Sequence, residues 1–379
     1  MALVLTEEQR LLKDTAKDFL ESNAPVAALR KLRDEKDPLG YSPELWQQMV
    51  EMGWASIILP EAYGGLEFGF QGLGVVLEES GRSLAASPLF ASAVVGASAI
   101  ILGGSEEQKQ TLLPAVAGGE LTLALALEES NHHRPTHIST TAQVQGDTVV
   151  LNGTKRFVLD GHSADKLIVV ARSSGAERDS EGLTLILVDR TAAGVNCQRT
   201  ILMDSRNAAD IEFENVSVPA SNIIGEISQG WAVLEPVLDR GRVAIAAEMM
   251  GVALEAFERT MEYLKEREQF GAVIGSFQAL QHRAAHMQSE IELCRSVLLQ
   301  ALSTVDDAPQ DLPQLASLAK TKLNELVKLV TNEAVQMHGG IGVTDELDIG
   351  FFLKRGRVAM QIFGDAGFHK DRYATLCGY

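Results

Sequence analysis

The chain has 379 residues, 46% of them hydrophobic and 6% aromatic, with 33 Lys and Arg against 51 Asp and Glu for a formal charge of −18. That excludes a disordered chain and allows about two to three domains with a real core. The acidic excess excludes a protein held to nucleic acid through its phosphates. Cys197, Cys294 and Cys377 are odd in number and form no CxxC pair, which argues against a disulfide framework and a structural zinc site. There is no apolar run of about 18 residues, so no membrane span is expected. The opening MALVLTEEQRLLKD does not suit a signal peptide, and the expectation is a cytoplasmic protein.

Residues 1–119 read as an N-terminal helical domain. Thr6 followed by Glu7, Glu8 and Gln9 is a helix start, and Leu5, Leu12, Ala16, Phe19 and Leu20 supply its apolar face. Further helices are predicted over 43–52, 70–83, 88–103 and 105–117, punctuated by Pro38-Leu39-Gly40, Tyr63-Gly64-Gly65, Gly103-Gly104 and Gly118-Gly119. Residues 120–225 change character. Val144, Val149, Val150, Ile168, Val169, Val170 and Leu185–Val188 fall in short runs, which predicts a middle domain built on an antiparallel sheet or barrel. Asn152-Gly153 reads as the turn of a hairpin.

Residues 226–379 return to helix, as a C-terminal four-helix bundle. In 278–305, Leu280, Ala284, Met287, Ile291, Cys294, Leu298, Ala301 and Val305 alternate steps of four and three, the spacing that keeps one stripe facing a neighbour. Ala319, Leu323, Leu326, Val330, Ala334 and Met337 repeat the pattern, and the Asp- and Pro-rich stretch 306–313 separates the two helices. The fold class is therefore α+β, in the order helical, β, helical.

No P-loop, GxSxG, HExxH or dinucleotide-binding GxGxxG is present. His282 and His286 are four apart on a predicted helix, but no acidic or cysteine ligand stands at a matching offset, so no metal is expected there. His132-His133 lies in a polar loop and is expected to be solvated. Two constellations carry more. Arg267-Glu-Gln269-Phe270-Gly271, then Ile274, Phe277 and Gln278, ends one helix and starts the next. A helix N-terminus beside an arginine suits a phosphate; a plain helix junction with Phe270 and Phe277 as core plugs is the alternative. Gln336-Met-His-Gly339-Gly340-Ile-Gly342 permits close approach of a ligand or another backbone; a simple helix stop is the alternative.

Together these segments resemble the acyl-CoA dehydrogenase family, and the resemblance spans essentially the whole chain. It rests on LTEEQRLLKDTAKDFL, GWASIILPEAYGGLEF, GSEEQKQTLLPAVAGGE, LNGTKRFVLDGHSADKLIVVAR, LDRGRVAIAAEMMGVA, YLKEREQFGAVIGSFQALQHR and VQMHGGIGVTDEL. The ending QIFGDAGFHKDR looks most like the small subunits of two-component enzymes such as pimeloyl-CoA dehydrogenase. The resemblance implies FAD-dependent α,β-desaturation of an acyl-CoA thioester, with electrons passed to an electron-transfer flavoprotein. A carboxylate base removes the α-proton, and the thioester carbonyl is polarised by hydrogen-bond donors.

By that resemblance Arg267, Gln269, Phe270 and Gln278 contact FAD pyrophosphate and adenosine. Gln336, Gly339 and Gly340 approach the FAD of a neighbouring subunit, which implies a homo-tetramer or an α2β2 hetero-tetramer. Phe157 stacks on the flavin, and Arg242 matches an arginine near the coenzyme A end of the pocket, an ion pair with Asp239 being the alternative.

Three departures from the family pattern stand out. The chain reads Gln361-Ile362-Phe363-Gly364-Asp365, so glycine aligns with the family's base, and Gly241 holds the other position relatives use for a glutamate. Asp365 is the candidate base, with a helix cap as its alternative role. On the β side, Leu127-Glu128-Glu129-Ser130-Asn131-His132-His133-Arg134 replaces the usual Thr-Glu-Pro…Gly-Ser-Asp, and Leu159 offers no hydroxyl. Two readings follow: a complete enzyme with Asp365 as base, or a non-catalytic subunit completing a flavin site in a glutamate-bearing partner. Gly241, Gly364 and Ala366 suggest room for a bulky acyl group.

Overall fold

The structure is a computed structural model and describes residues 4–379. Its contacts divide the chain into two compact units. Among the described residues, one comprises 4–34, 70–85 and 242–379; the other comprises 35–69 and 86–241.

The first unit is helical. It holds α1 (Glu7–Asn23), α2 (Val26–Asp34), most of α4 (Gly69–Ser83), the larger part of α7 (Trp231–Glu266), α8 (Gln278–Asp307), α9 (Leu312–His338), α10 (Ile349–Gln361) and α11 (Ala366–Leu376). α1 starts as expected, in a capping box: Thr6 accepts from the Gln9 amide while the Gln9 side chain accepts from the Thr6 amide. The predicted stripe of α9 is buried along its whole length, and that of α8 from Met287 to Val305. Glycines let α4 and α7 approach closely. A Cβ on Gly251 would stand 1.8 Å from the Glu78 carbonyl oxygen, and one on Gly81 would stand 2.1 Å from that of Glu248. Glu248 and Arg355 form a buried bidentate pair at 2.8 Å through each nitrogen, tying α7 to α10.

The second unit contains α3 (Pro43–Glu51), a fully buried π-helix (Leu89–Gly96), α5 (Ala97–Gly103), α6 (Glu106–Ala117) and the sheet. The strands are β1 (Leu123–Ala126), β2 (Thr141–Gln145), β3 (Thr148–Leu159), β4 (Lys166–Arg172), β5 (Leu183–Asp189), β6 (Val195–Ile201), β7 (Asn207–Pro219) and β8 (Ile223–Ile224). Their order is β6-β7-β3-β2-β4-β5-β8, with β1 also on β4. Val149, Leu151, Leu167, Val169, Ile186, Val188, Ile211 and Phe213 are part of its core.

Two expectations about the sheet are corrected. It does not close into a barrel, and it is not purely antiparallel, because β1 runs parallel to β4 from Leu123 opposite Lys166 to Ala126 opposite Val169. The hairpin turn is not Asn152-Gly153. It is Gly146-Asp147, between paired Gln145 and Thr148, with Gly146 at φ +61°. Asn152-Gly153 lies inside the long strand β3, at a bulge against β7, where Asn152 Oδ1 accepts from the Asn215 amide at 2.8 Å. Gly153 is required there because a Cβ would stand 2.6 Å from Thr140 Cα. No helix among the described residues is long and apolar enough to cross a membrane.

Candidate active site

The chain emerges from α7 at Arg267 into a minimal hairpin, β9 (Glu268–Gln269) and β10 (Ala272–Val273). Its two-residue turn is Phe270-Gly271, both at positive φ, +56° and +76°, as a type I′ turn demands. Phe270 is 95% exposed at the tip. Its ring meets only the edge of Phe277, with centroids 6.3 Å apart, so neither phenylalanine is the core plug that a plain helix junction would need. Arg267, Gln269 and Gln278 are exposed around the same turn. Phe277 stands at the N-cap of α8 with no side-chain cap, leaving that helix start open to an anion.

α9 ends at Gly339, whose φ of +66° and ψ of −143° are closed to other residues. Nothing lies within 4 Å of where a Cβ on Gly339 or Gly340 would be, and Gln336 is exposed beside them. The bend is anchored to the end of α7: Tyr263 stacks on His338 at 4.4 Å, and its hydroxyl donates to the His338 carbonyl at 3.3 Å. The hairpin and the diglycine bend therefore occupy the same end of the helical unit in one chain. The segment beyond the bend is held by α2. Arg33 donates to Asp345 at 2.7 Å and Arg30 to Asp348 at 2.9 Å, and both guanidinium groups lie over the Phe351 ring.

The third element is the turn between α10 and α11. Phe363 has φ +55° and Gly364 φ +114°. Asp365 is exposed and N-caps α11, its Oδ1 accepting from the Phe368 amide at 2.8 Å. The expected room at Gly364 is absent, because a Cβ there would meet Phe368 Cδ1 at 2.5 Å and His369 Nε2 at 2.8 Å. Arg242 is 1% exposed. It points at this turn, its Nε donating to the Phe363 carbonyl at 3.1 Å and its guanidinium lying over the Phe368 ring at 5.5 Å. Lys320 and His369, which the sequence did not single out, face the Gly364 and Phe363 carbonyls from α9 and α11 respectively.

In the sheet unit, Phe157 sits on a second bulge of β3, between Lys155 and Val158. It takes φ +52°, is 41% exposed, and donates its amide to Asp210 at 3.2 Å. The Leu127–Arg134 segment leads back to the same strand. Fully buried Lys155 donates to the Leu127 carbonyl at 3.0 Å and to Glu129 at 2.7 Å, while Glu129 also accepts from the Ser139 and Thr140 amides. Burial opposes the Glu129 charge, but Lys155 and these donors outweigh it and bring the carboxyl down to about 2. Burial lowers Lys155 to about 8 against the pull of Glu129, so both are charged at neutral pH. His133 is not solvated as expected; its Nδ1 lies 2.5 Å from Glu128 Oε1. His282 and His286 are exposed, and no cluster of metal-binding side chains occurs among the described residues.

The class of this protein, that of the acyl-CoA dehydrogenases, follows from its sequence rather than from these features alone. The sequence matches that class throughout: the N-terminal domain of acyl-CoA dehydrogenase over residues 6–120, its middle domain over 124–216 and its C-terminal domain over 228–374. The chain belongs to the acyl-CoA dehydrogenase family, oxidoreductases that act on the CH–CH bond of acyl-CoA. It is 34% identical to cyclohex-1-ene-1-carbonyl-CoA dehydrogenase of Geobacter metallireducens, over 90% of each chain. Among solved structures it resembles a variant of the Tcur3481-Tcur3483 steroid ACAD, with TM-score 0.88, 33% identity and 98% of each chain covered. It also resembles the ChsE4-ChsE5 complex from Mycobacterium tuberculosis, with TM-score 0.89, 26% identity and 100% of this chain and 99% of that one covered.

Proposed function

We propose that this chain binds FAD and desaturates an acyl-CoA thioester at its α,β bond. FAD, when bound, accepts the β-hydride. The residues present fit it: Arg267 and the open N-terminus of α8 suit a pyrophosphate, and Phe270, Gln269 and Gln278 offer an aromatic face and amides to adenosine. Gln336, Gly339 and Gly340 leave space for a cofactor to approach the backbone. The observation that carries the reading is the Tyr263–His338 stack, which ties the end of α7 to the diglycine bend and supports a cofactor shared by the two motifs. An exposed Phe270 of this kind is suited to a flavin seated largely in a neighbouring subunit, hence to a homo-tetramer or α2β2 assembly. Phe157 supplies the flavin's stacking face on the sheet side.

In this reading Asp365 takes the α-proton, and an electron-transfer flavoprotein reoxidises the cofactor. Since the relatives above are named for ring-bearing acyl groups, a ring-bearing thioester in the cytoplasm is the substrate class to try first. A second reading has a specific observation behind it. Asp365 caps α11, and Phe368 and His369 fill the space a side chain at position 364 would need. That suits a small subunit, like that of pimeloyl-CoA dehydrogenase, completing a site whose glutamate belongs to another chain. The visible spectrum of the chain purified alone separates the two. Stoichiometric flavin supports the complete enzyme; a colourless chain that gains flavin only with a second, glutamate-bearing chain supports the subunit. If no flavin is taken up either way, the proposal is wrong.

A further inference from the structure

The Phe363-Gly364 turn is strained, and buried basic groups hold it. A phenylalanine at φ +55° followed by a glycine at φ +114° persists only where the surroundings dictate it. Two donors converge on the Phe363 carbonyl: Arg242 Nε at 3.1 Å and His369 Nε2 at 3.0 Å. The His369 tautomer follows from the network. Arg372 donates to Ser317 Oγ at 2.8 Å, and Ser317 stands 3.4 Å from His369 Nδ1, leaving the proton on Nε2.

The third group is Lys320, fully buried on α9. Its Nζ donates to the Gly364 carbonyl at 3.2 Å and to the Ala359 and Met360 carbonyls at 3.0 and 3.1 Å, with Asn324 Oδ1 at 2.9 Å. Ala359 and Met360 lie in the last turn of α10, whose carbonyls have no partner within the helix. One amine thus caps α10 and grips the residue before Asp365. Buried lysines usually face a carboxylate; this one, whose charge is opposed by burial and by Arg242, faces carbonyls at the end of α10 and in the turn that carries the candidate base.

We propose that Lys320 is a positioning residue: by fixing the Gly364 carbonyl against the end of α10, it sets where the Asp365 carboxylate stands when the α-proton is removed. This rests on the reading of Asp365 as the base. Without the Lys320 amine, three carbonyls lose a buried donor and the strained turn relaxes, displacing Asp365 while leaving the far end of the bundle untouched.

The test is a double-mutant cycle on the flavin-loaded enzyme, with steady-state turnover of an acyl-CoA thioester by an artificial electron acceptor. Lys320→Met lowers kcat by about 10²-fold, the cost of a misplacement near 1 Å, with KM within about twofold and the flavin spectrum unchanged. Asp365→Asn abolishes most turnover, and adding Lys320→Met to it lowers the residual rate no further, because the lysine acts only through that carboxylate. Lys320→Gln, which keeps one buried donor, gives an intermediate loss and serves if the methionine variant does not fold. If Asp365→Asn loses turnover while both lysine variants keep full kcat, or if the two losses multiply, the positioning role is refuted and the base stands. If Asp365→Asn keeps full turnover, the base assignment and the positioning role fall together.

Discussion

Restoring a side chain at position 364 probes the turn directly. By the resemblance to the family, position 364 aligns with the base; in this chain it is glycine at φ +114°, a region other residues rarely adopt. The backbone strain of placing alanine there is about 1–3 kcal/mol. Its Cβ would also fall 2.5 Å from Phe368 Cδ1 and 2.8 Å from His369 Nε2. Phe368 is half-buried and its ring can shift, but His369 is fully buried and hydrogen-bonded to the Phe363 carbonyl. Overpacking adds about 1–3 kcal/mol, so Gly364→Ala is expected to destabilise by about 2–6 kcal/mol. At about 2–4 °C per kcal/mol for a unit of this size, differential scanning calorimetry should show the melting transition of the helical unit falling by roughly 4–24 °C. Gly364→Glu should cost at least as much and gain no dehydrogenase activity, since its carboxylate cannot occupy the space of the Phe368 and His369 rings. A Gly364→Ala chain with an unshifted transition, or a Gly364→Glu chain with raised turnover, would show that the turn opens freely and that Phe368 and His369 do not block it.

Arg267→Ala removes an exposed side chain, so thermal stability should change by no more than about 0.5 kcal/mol. Its FAD affinity, measured by equilibrium dialysis in the assembled protein, should weaken by about 10–100-fold, the loss of one charge-assisted hydrogen bond to phosphate. Unchanged affinity would take Arg267 out of the cofactor site. In the sheet unit, acid should act through Glu129. Its folded pKa, about 2, lies below the usual 4.5, so its stabilisation is full above pH 4.5 and is lost as pH falls toward 2. A shift of that size is worth on the order of 3 kcal/mol. Urea midpoints taken between pH 5 and pH 3 should fall, and Glu129→Gln should flatten that limb; an equal slope in the variant would exclude Glu129 as its source.

What the sequence made legible is what depends on neighbours a few residues away. The capping box at Thr6 and Gln9, the buried stripe of α9 and the Phe270-Gly271 turn need only local spacing. Local spacing also misled. Asn152-Gly153 has the chemistry of a hairpin turn, but β3 runs through it because Thr140, thirteen residues before Gly153, packs where the Gly153 side chain would be. The parallel pairing of β1 with β4 joins Leu123 to Lys166 and leaves no pattern in either strand alone.

The same division separates the two halves of the proposed chemistry. The proposed cofactor-binding end is written in two contiguous motifs, so picking it out needs only local spacing. The environment of the candidate base draws on Arg242, Lys320, Gly364 and His369, from α7, α9, the turn and α11. In the sequence of α9, Ser317, Lys320 and Asn324 recur at steps of three and four, just as a solvated face would. Only the packing of α10 and α11 over that face turns it into a buried polar cluster, so the residues that decide whether Asp365 can act as a base read as ordinary surface until the helices are in place.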